Sequence, residues 1–127
     1  MTASAAYLEL VADVLRPSGS VVVRRMFGGA GIYRNGLMFA LVADDVLYLK
    51  FDTQTAEHFA GEGLEPFVYE KDGRQVAMSY RRAPERVFED PDEALLWARR
   101  AFDAAIRSAA PKIRPRRQPG RRGLNAR

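Results

Sequence analysis

The chain has 127 residues, of which 47% are hydrophobic, and a formal net charge of +4 at neutral pH. Its length and apolar fraction fit one domain with a buried core, and they exclude wholesale disorder. The lack of cysteine excludes disulfides, thiol catalysis and cysteine-based metal sites.

The basic charge is concentrated at one end of the sequence. Seven of the 20 basic residues lie in residues 111–127, which contain no acid, whereas the remaining 13 are opposed by all 16 acidic residues. We therefore predict a folded domain over residues 1–110, followed by a disordered basic tail over residues 111–127. No apolar run has the length of a membrane helix and no secretion signal is evident, so we expect a cytoplasmic protein without a membrane partner.

The first predicted element is an amphipathic helix over residues 4–16, with apolar residues at three- and four-residue spacing and Ser4 as its N-cap. Pro17 is expected to end this helix. A first strand then runs from Val21 to about Phe27. The glycines at positions 28, 29 and 31 indicate a sharp turn, a bulge or the close approach of another backbone.

Two tight turns divide the next stretch into antiparallel strands as far as residue 51. Asn35-Gly36 is typical of a type I′ hairpin turn, and Asp44-Asp45 is a weaker turn signal. Strand alternation gives a sheet that is apolar on both faces, so a helix, the chain termini or a second copy must cover the second face. We predict a homodimer that forms through one face or through the outer edge of the sheet. The candidate dimer face carries Ile32, Leu37, Phe39, Leu41, Val46 and Tyr48.

The rest of the chain predicts two helices and a second hairpin. Asp52 is the expected N-cap of a short helix over residues 53–60. A hairpin over residues 66–80 has one apolar and one polar face. A long helix over residues 91–109 follows, and Pro111 is expected to end it. This order predicts an α+β fold, in which an antiparallel sheet of about six strands carries the terminal helices.

The sequence offers no catalytic or cofactor-binding motif. Arg34 occupies the third glycine position of a dinucleotide fingerprint, and Leu37-Met38 replace the lysine and hydroxyl residue of a P-loop. His58 is the only histidine, so a histidine metal cluster is excluded. We expect no enzymatic activity, no cofactor and no metal. The strand aromatics are interpreted as core residues, with base stacking on an exposed sheet as the alternative.

Four segments carry a family resemblance: RRMFGGAGIYRNGLMFALVADDVLYLKFD, EPFVYE, VAMSYRRAPE and DPDEALLWARRAFDAA. Together they resemble the TfoX N-terminal domain family over about residues 4–106. The most specific residues, whose expected role is architectural, are Arg25, Met26, Phe27, Gly28, Gly29, Leu47, Tyr48, Lys50, Pro66 and Phe67. The resemblance implies an antiparallel sheet between terminal helices. It also implies a non-enzymatic regulator of natural competence that acts on transcription with a protein partner, such as an activator or the transcription machinery.

A second hypothesis is a small nucleic-acid-binding protein that acts through its basic tail. Such a tail would bind phosphates without sequence preference and with a strong dependence on salt, whereas the alternative is a tail that only increases solubility. The candidate nucleic-acid contacts are Lys112, Arg114, Arg116, Arg117, Arg121 and Arg122.

Overall fold

A computed structural model describes residues 2–113 of the chain, with side chains described as far as residue 110. Its helices and strands confirm the predicted α+β fold. They are α1 (Ala5–Leu15), β1 (Val22–Met26), β2 (Gly29–Arg34), β3 (Leu37–Ala43), β4 (Val46–Lys50), α2 (Ala56–Ala60), β5 (Pro66–Lys71), β6 (Arg74–Arg82) and α3 (Pro91–Ile113). Short 3₁₀ helices at Arg16–Ser18 and Glu85–Phe88 lead into β1 and α3.

The six strands form one sheet in the order β1-β2-β3-β4-β6-β5, and every neighbouring pair is antiparallel. The predicted two-residue turns are confirmed, because Arg34 pairs with Leu37 and Ala43 pairs with Val46. The second hairpin does not extend the sheet in sequence order. Its later strand, β6, pairs with β4, so β5 becomes an edge strand.

The weaker turn, Asp44-Asp45, is supported from outside the hairpin. Both residues have a φ of 53°, which an L-residue adopts at some cost. The Thr2 N–H donates to Asp44 Oδ1 and the Ser4 N–H donates to Asp45 Oδ1, at 3.1 and 2.8 Å. The segment before α1 therefore lies on this turn, and the two carboxylates satisfy backbone donors near the start of the helix.

Both terminal helices pack on the same face of the sheet. The Ser4 hydroxyl caps α1 by accepting the Tyr7 N–H, as predicted. In α3, alanines on one side allow close contact with the strands, and Trp97 is buried with its ring edge against Phe59 at 5.0 Å. The largest fully buried side chains are Trp97, Phe39, Phe59, Leu15, Ile32, Leu47, Leu49, Val11 and Val42.

A bulge in β3 overturns part of the predicted face assignment. Tyr33 pairs with Met38 and Ile32 pairs with Ala40, so Phe39 is an extra residue that has no partner in β2. Because the alternation shifts by one residue there, both Phe39 and Ala40 lie on the helix-covered side. The candidate dimer face is therefore not one surface. Ile32, Leu37 and Phe39 belong to the helix-covered core, whereas Leu41 and Tyr48 belong to the opposite face.

Two predicted helix boundaries were wrong. The short helix begins at Ala56 with Thr55 as its N-cap, and Asp52 instead accepts the N–H groups of Gln54 and Thr55 in the turn before it. The last helix continues through Pro111 to Ile113. Pro111 lies in the last turn of α3, where its missing N–H removes one intrahelical hydrogen bond without ending the helix.

The ion pair between Asp52 and Arg107 should make stability depend on pH. Arg107 Nε lies 2.6 Å from Asp52 Oδ2, and its hydrogen bonds lower the pKa of Asp52 below the ordinary value. Since the folded-state pKa is depressed, the stabilisation is present at neutral pH and is lost as the pH falls through that lowered pKa. We expect Asp52→Asn to cost about 1 kcal/mol at pH 7 in urea unfolding, and little at acid pH.

The control for this experiment is Asp13→Asn. Asp13 also pairs with an arginine at 2.7 Å, but both side chains of that pair with Arg16 are well exposed. An exposed helix pair contributes about 0.5 kcal/mol or less, so this variant should unfold almost like the wild type. A loss for Asp52→Asn that stays constant from neutral to acid pH would show that the carboxylate charge is not the cause.

Candidate functional site

The face of the sheet opposite the helices carries an open groove of about 860 Å³. Its floor contains Met26, Met38, Leu41 and Met78, and residues of β5 form one wall. The apolar cluster on this face consists entirely of strand residues, whereas the main core contains residues of α1 and α3. The groove is therefore an apolar sheet surface on which neither α1 nor α3 packs.

Aromatic side chains give the groove a rigid side. The Phe67 ring stands edge-on to Tyr48 at 5.0 Å and stacks with Tyr69 at 6.2 Å. Tyr80 donates its hydroxyl to the Met38 carbonyl at 3.1 Å, which joins β6 to β3 across β4. Burial raises the pKa of both Tyr48 and Tyr80, so both phenols are neutral at physiological pH.

Glycines in β2 leave room for the groove floor. The sequence left open whether they mark a sharp turn, a bulge or the close approach of another backbone. A Cβ on Gly31 would lie 2.6 Å from the sulfur of Met38, so glycine at this position leaves room for that side chain to lie over β2. A Cβ on Gly29 would lie 2.4 Å from the Val42 carbonyl oxygen. Both glycines are thus sites of close approach, and the sharp turn itself is made by Phe27-Gly28.

Phe27 is the most exposed large apolar side chain of the described residues and lies at the rim of the groove. Its side chain is 89% exposed, and its backbone has a φ of 49°. A bulky residue is strained in this left-handed region, which type I′ turns normally fill with Asn, Asp or Gly. The strain at Phe27 is therefore not offset by burial of its ring in the domain.

The charged strand residues whose side chains lie on the groove side are basic. Arg24 lies over the Tyr33 ring at 5.3 Å and Lys50 over the Tyr80 ring at 5.2 Å. Lys71 and Arg74 form a register pair in the β5–β6 hairpin and, by strand alternation, share the side of Tyr69 and Met78. Glu70 is the one acidic residue within the six strands, and by alternation its side chain lies on the other side of β5 from Tyr69 and Lys71. Glu70 and Asp44 supply the carboxylates at the margin of the groove.

The structure places five of the ten family-resemblance residues around the groove: Met26, Phe27, Gly29, Tyr48 and Phe67. Of the others, Leu47 is buried in the main core, and Arg25 donates to the Ala3 carbonyl at 2.8 Å. Sequence reasoning missed the groove residues Met38, Met78 and Tyr69. A usable signal was present, since three methionines stand at strand positions of a chain with four.

Of the tail residues proposed as nucleic-acid contacts, Arg114, Arg116, Arg117, Arg121 and Arg122 lie outside the described residues, and Lys112 lies on α3 beyond the last described side chain. Within residues 2–113, His, Asp and Glu form no group of three or more that could hold a metal ion. In the same range, every helix is too short or too polar to cross a membrane.

The architecture defines an α+β domain in which two helices cover one face of a six-stranded antiparallel sheet and the other face is open. Residues 13–105 match the TfoX N-terminal domain, and the chain belongs to that family. It is also similar to Protein Sxy of Escherichia coli (strain K12), with 26% identity over 95 residues. The matched region covers 75% of this chain and 46% of Sxy, so the chain spans about half the length of that relative.

Proposed function

We propose that this chain is a non-enzymatic regulatory domain that acts by binding a protein partner, as in competence regulators of the TfoX type. The expected partner is an activator or a component of the transcription machinery in the cytoplasm. The observation that carries the proposal is the open groove, with Met26, Met38 and Met78 on its floor and Phe27 at its rim. Methionine adapts its shape to apolar partners, and exposed apolar surface of this kind marks interaction sites.

The proposal can be tested by site-specific photocrosslinking in the living cell. Phe27 at the groove rim and Leu96 on α3 are both exposed apolar residues, at 89% and 39%. A photoreactive phenylalanine analogue at position 27 should crosslink to a protein of the transcription apparatus, and the same analogue at position 96 should not. Equal crosslinking at both positions, or none at position 27, would contradict the proposal.

A transcription readout complements the crosslinking. Replacing the chromosomal copy by Met78→Lys, which places a charge on the groove floor, should change the same transcripts as deletion of the whole chain. The Leu96→Lys variant should leave those transcripts unchanged, since Leu96 lies on the exposed side of α3. A deletion that leaves the transcript profile unaltered would remove the regulatory role.

The second candidate function is nucleic-acid binding through the basic tail, and it is favoured by the seven basic residues and the absence of acids in residues 111–127. About five phosphate contacts would give a log–log salt slope near −4 to −5 on duplex DNA. Titrations of the full chain and of a chain ending at residue 113 would test it. Equal affinity of the two proteins would exclude the tail from any such binding.

A further inference from the structure

The groove runs across the strands, and this direction restricts what it can receive. Met26, Met38 and Met78 come from β1, β3 and β6, which are separated in the sheet by β2 and β4. The backbone groups of the inner strands are already paired, so an occupant meets side chains and gains no ladder hydrogen bonds. Such an occupant must satisfy its own backbone groups, which a helix does and an isolated extended segment does not.

Charge disfavours two occupants that the chain itself could supply. A second copy docked face to face would oppose two faces whose charged strand residues include Arg24, Lys71 and Arg74. The segment 111–127 carries seven basic residues and no acid, so these three cations would repel it, and the groove lining offers only Asp44 and Glu70 as carboxylates. An occupant with carboxylates beside its apolar residues would instead be attracted.

Phe67 and Tyr80, two aromatic residues on this face of the sheet, are poorly placed to stack on nucleic-acid bases. Phe67 is 7% exposed and Tyr80 is 4% exposed, which leaves too little ring surface for a base. The faces of Tyr33 and Tyr80 are approached by Arg24 and Lys50. What the groove offers is a deformable methionine floor, which suits the aliphatic and aromatic side chains of a peptide.

We propose that the groove binds an amphipathic helix of a partner protein, whose apolar stripe is flanked by Asp or Glu. This inference rests on the proposed function and specifies the chemistry of its partner. The apolar stripe enters the groove over Met26, Met38 and Met78, and Phe27 closes against it from the rim. The flanking carboxylates of the helix meet Arg24, Lys71 and Arg74. A helix of about 18 residues is ~27 Å long, which matches the ~24 Å width of six strands.

Synthetic peptides test the proposal with the full chain. The first probe is a fluorescent helical peptide of about 18 residues, with Leu and Phe at helical three- and four-residue spacing and Glu elsewhere. The second has Lys in place of every Glu. Fluorescence anisotropy should show the Glu peptide binding at least ~10-fold more tightly than the Lys peptide, with an advantage that shrinks as salt is raised. Equal or tighter binding of the Lys peptide overturns the proposal. The proposal is also overturned if a single-stranded oligothymidylate displaces the Glu peptide from the groove.

Charge-reversal variants distinguish peptide binding at the groove from binding to the basic tail, because the tail would also attract an acidic peptide. Lys71→Glu should weaken the Glu peptide by ~10-fold, which corresponds to a single well-placed charge contact. Arg99→Glu makes the same change on the exposed side of α3 and should leave the affinity within twofold. Equal effects of the two variants would assign the binding to general attraction and overturn the proposal.

Phe27→Asn gives a readout in which stability and binding move in opposite directions. It creates Asn-Gly at the β1–β2 turn, the preferred type I′ pair, so the urea midpoint of unfolding should rise. Binding of the Glu peptide should nevertheless fall by ~10-fold, because the rim ring is lost. Unchanged binding would overturn the role of Phe27. If crosslinking at position 27 succeeds but the Glu peptide shows no preference, the partner chemistry fails and the proposed function stands.

Discussion

Phe39→Lys is expected to leave the chain unfolded at 25 °C. The Phe39 side chain is fully buried under α3, with its ring edge-on to Phe102 at 5.8 Å. The Arg34 guanidinium already lies over the ring at 4.6 Å. A lysine there would lose the packing of a large aromatic residue, bury a second cation and place it beside the first. These effects together exceed about 5 kcal/mol, which is comparable to the whole stability of a small domain.

Circular dichroism and the fluorescence of Trp97, the only tryptophan, would measure this outcome. The control is Met78→Lys, which introduces the same charge on the open face, where the lysine side chain can reach water. That variant should remain folded with a loss of about 2 kcal/mol or less. A folded, monomeric Phe39→Lys protein from a dimeric wild type would contradict the core position and support the candidate dimer face.

Arg34→Ala should be the second most damaging change, with an expected loss of about 3 kcal/mol or more. Arg34 is only 6% exposed, and its guanidinium donates to the Ser18 hydroxyl at 2.7 Å and to the Ser20 carbonyl at 2.9 Å. Burial lowers the pKa of Arg34, which still leaves the group charged at neutral pH. Alanine would leave these acceptors without a donor and would empty the space between Phe39 and Phe102.

Urea unfolding of Arg34→Ala should be compared with that of Arg16→Ala. Arg16 makes one exposed pair with Asp13, so its loss should cost about 0.5 kcal/mol or less. Arg34→Lys should be intermediate, because a single ammonium cannot reproduce the fork of donors or the stacking on two rings. An Arg34→Ala protein as stable as Arg16→Ala would show that the buried guanidinium contributes nothing.

Arg34 also shows how a local pattern conceals a tertiary role. In the sequence, Arg34 stands out only as a mismatch to a dinucleotide fingerprint, and nothing in its neighbours indicates burial. In the structure it links β2 to the loop between α1 and β1, over residues that are 14 to 19 positions away. Its fit requires Gly19, because a Cβ there would lie 2.9 Å from Arg34 Nε. Only the packed loop supplies these acceptors, so the sequence could not identify the site.

The groove could not be predicted from the sequence either, although the strands and turns that form it could. The turns at Asn35-Gly36 and Asp44-Asp45 predicted the hairpins, yet the bulge at Phe39 moved half of the expected dimer face into the core. Bulges add one residue without a strong local signature, and a shift of one residue exchanges the faces of a strand. Alternation therefore could not list the residues of the candidate site correctly, even though the strands themselves were predicted correctly.

By itself, the sequence determined the elements and their hairpin pairings, because turn residues, caps and apolar periodicity act over a few neighbouring positions. It also determined the α+β class and the strongly basic segment. Only the tertiary structure decided that both helices lie on one face, that β6 pairs with β4, and that the other face stays open. The physical reason is that a strand pattern records which residues are apolar, whereas the element that covers each face depends on contacts between distant parts of the chain.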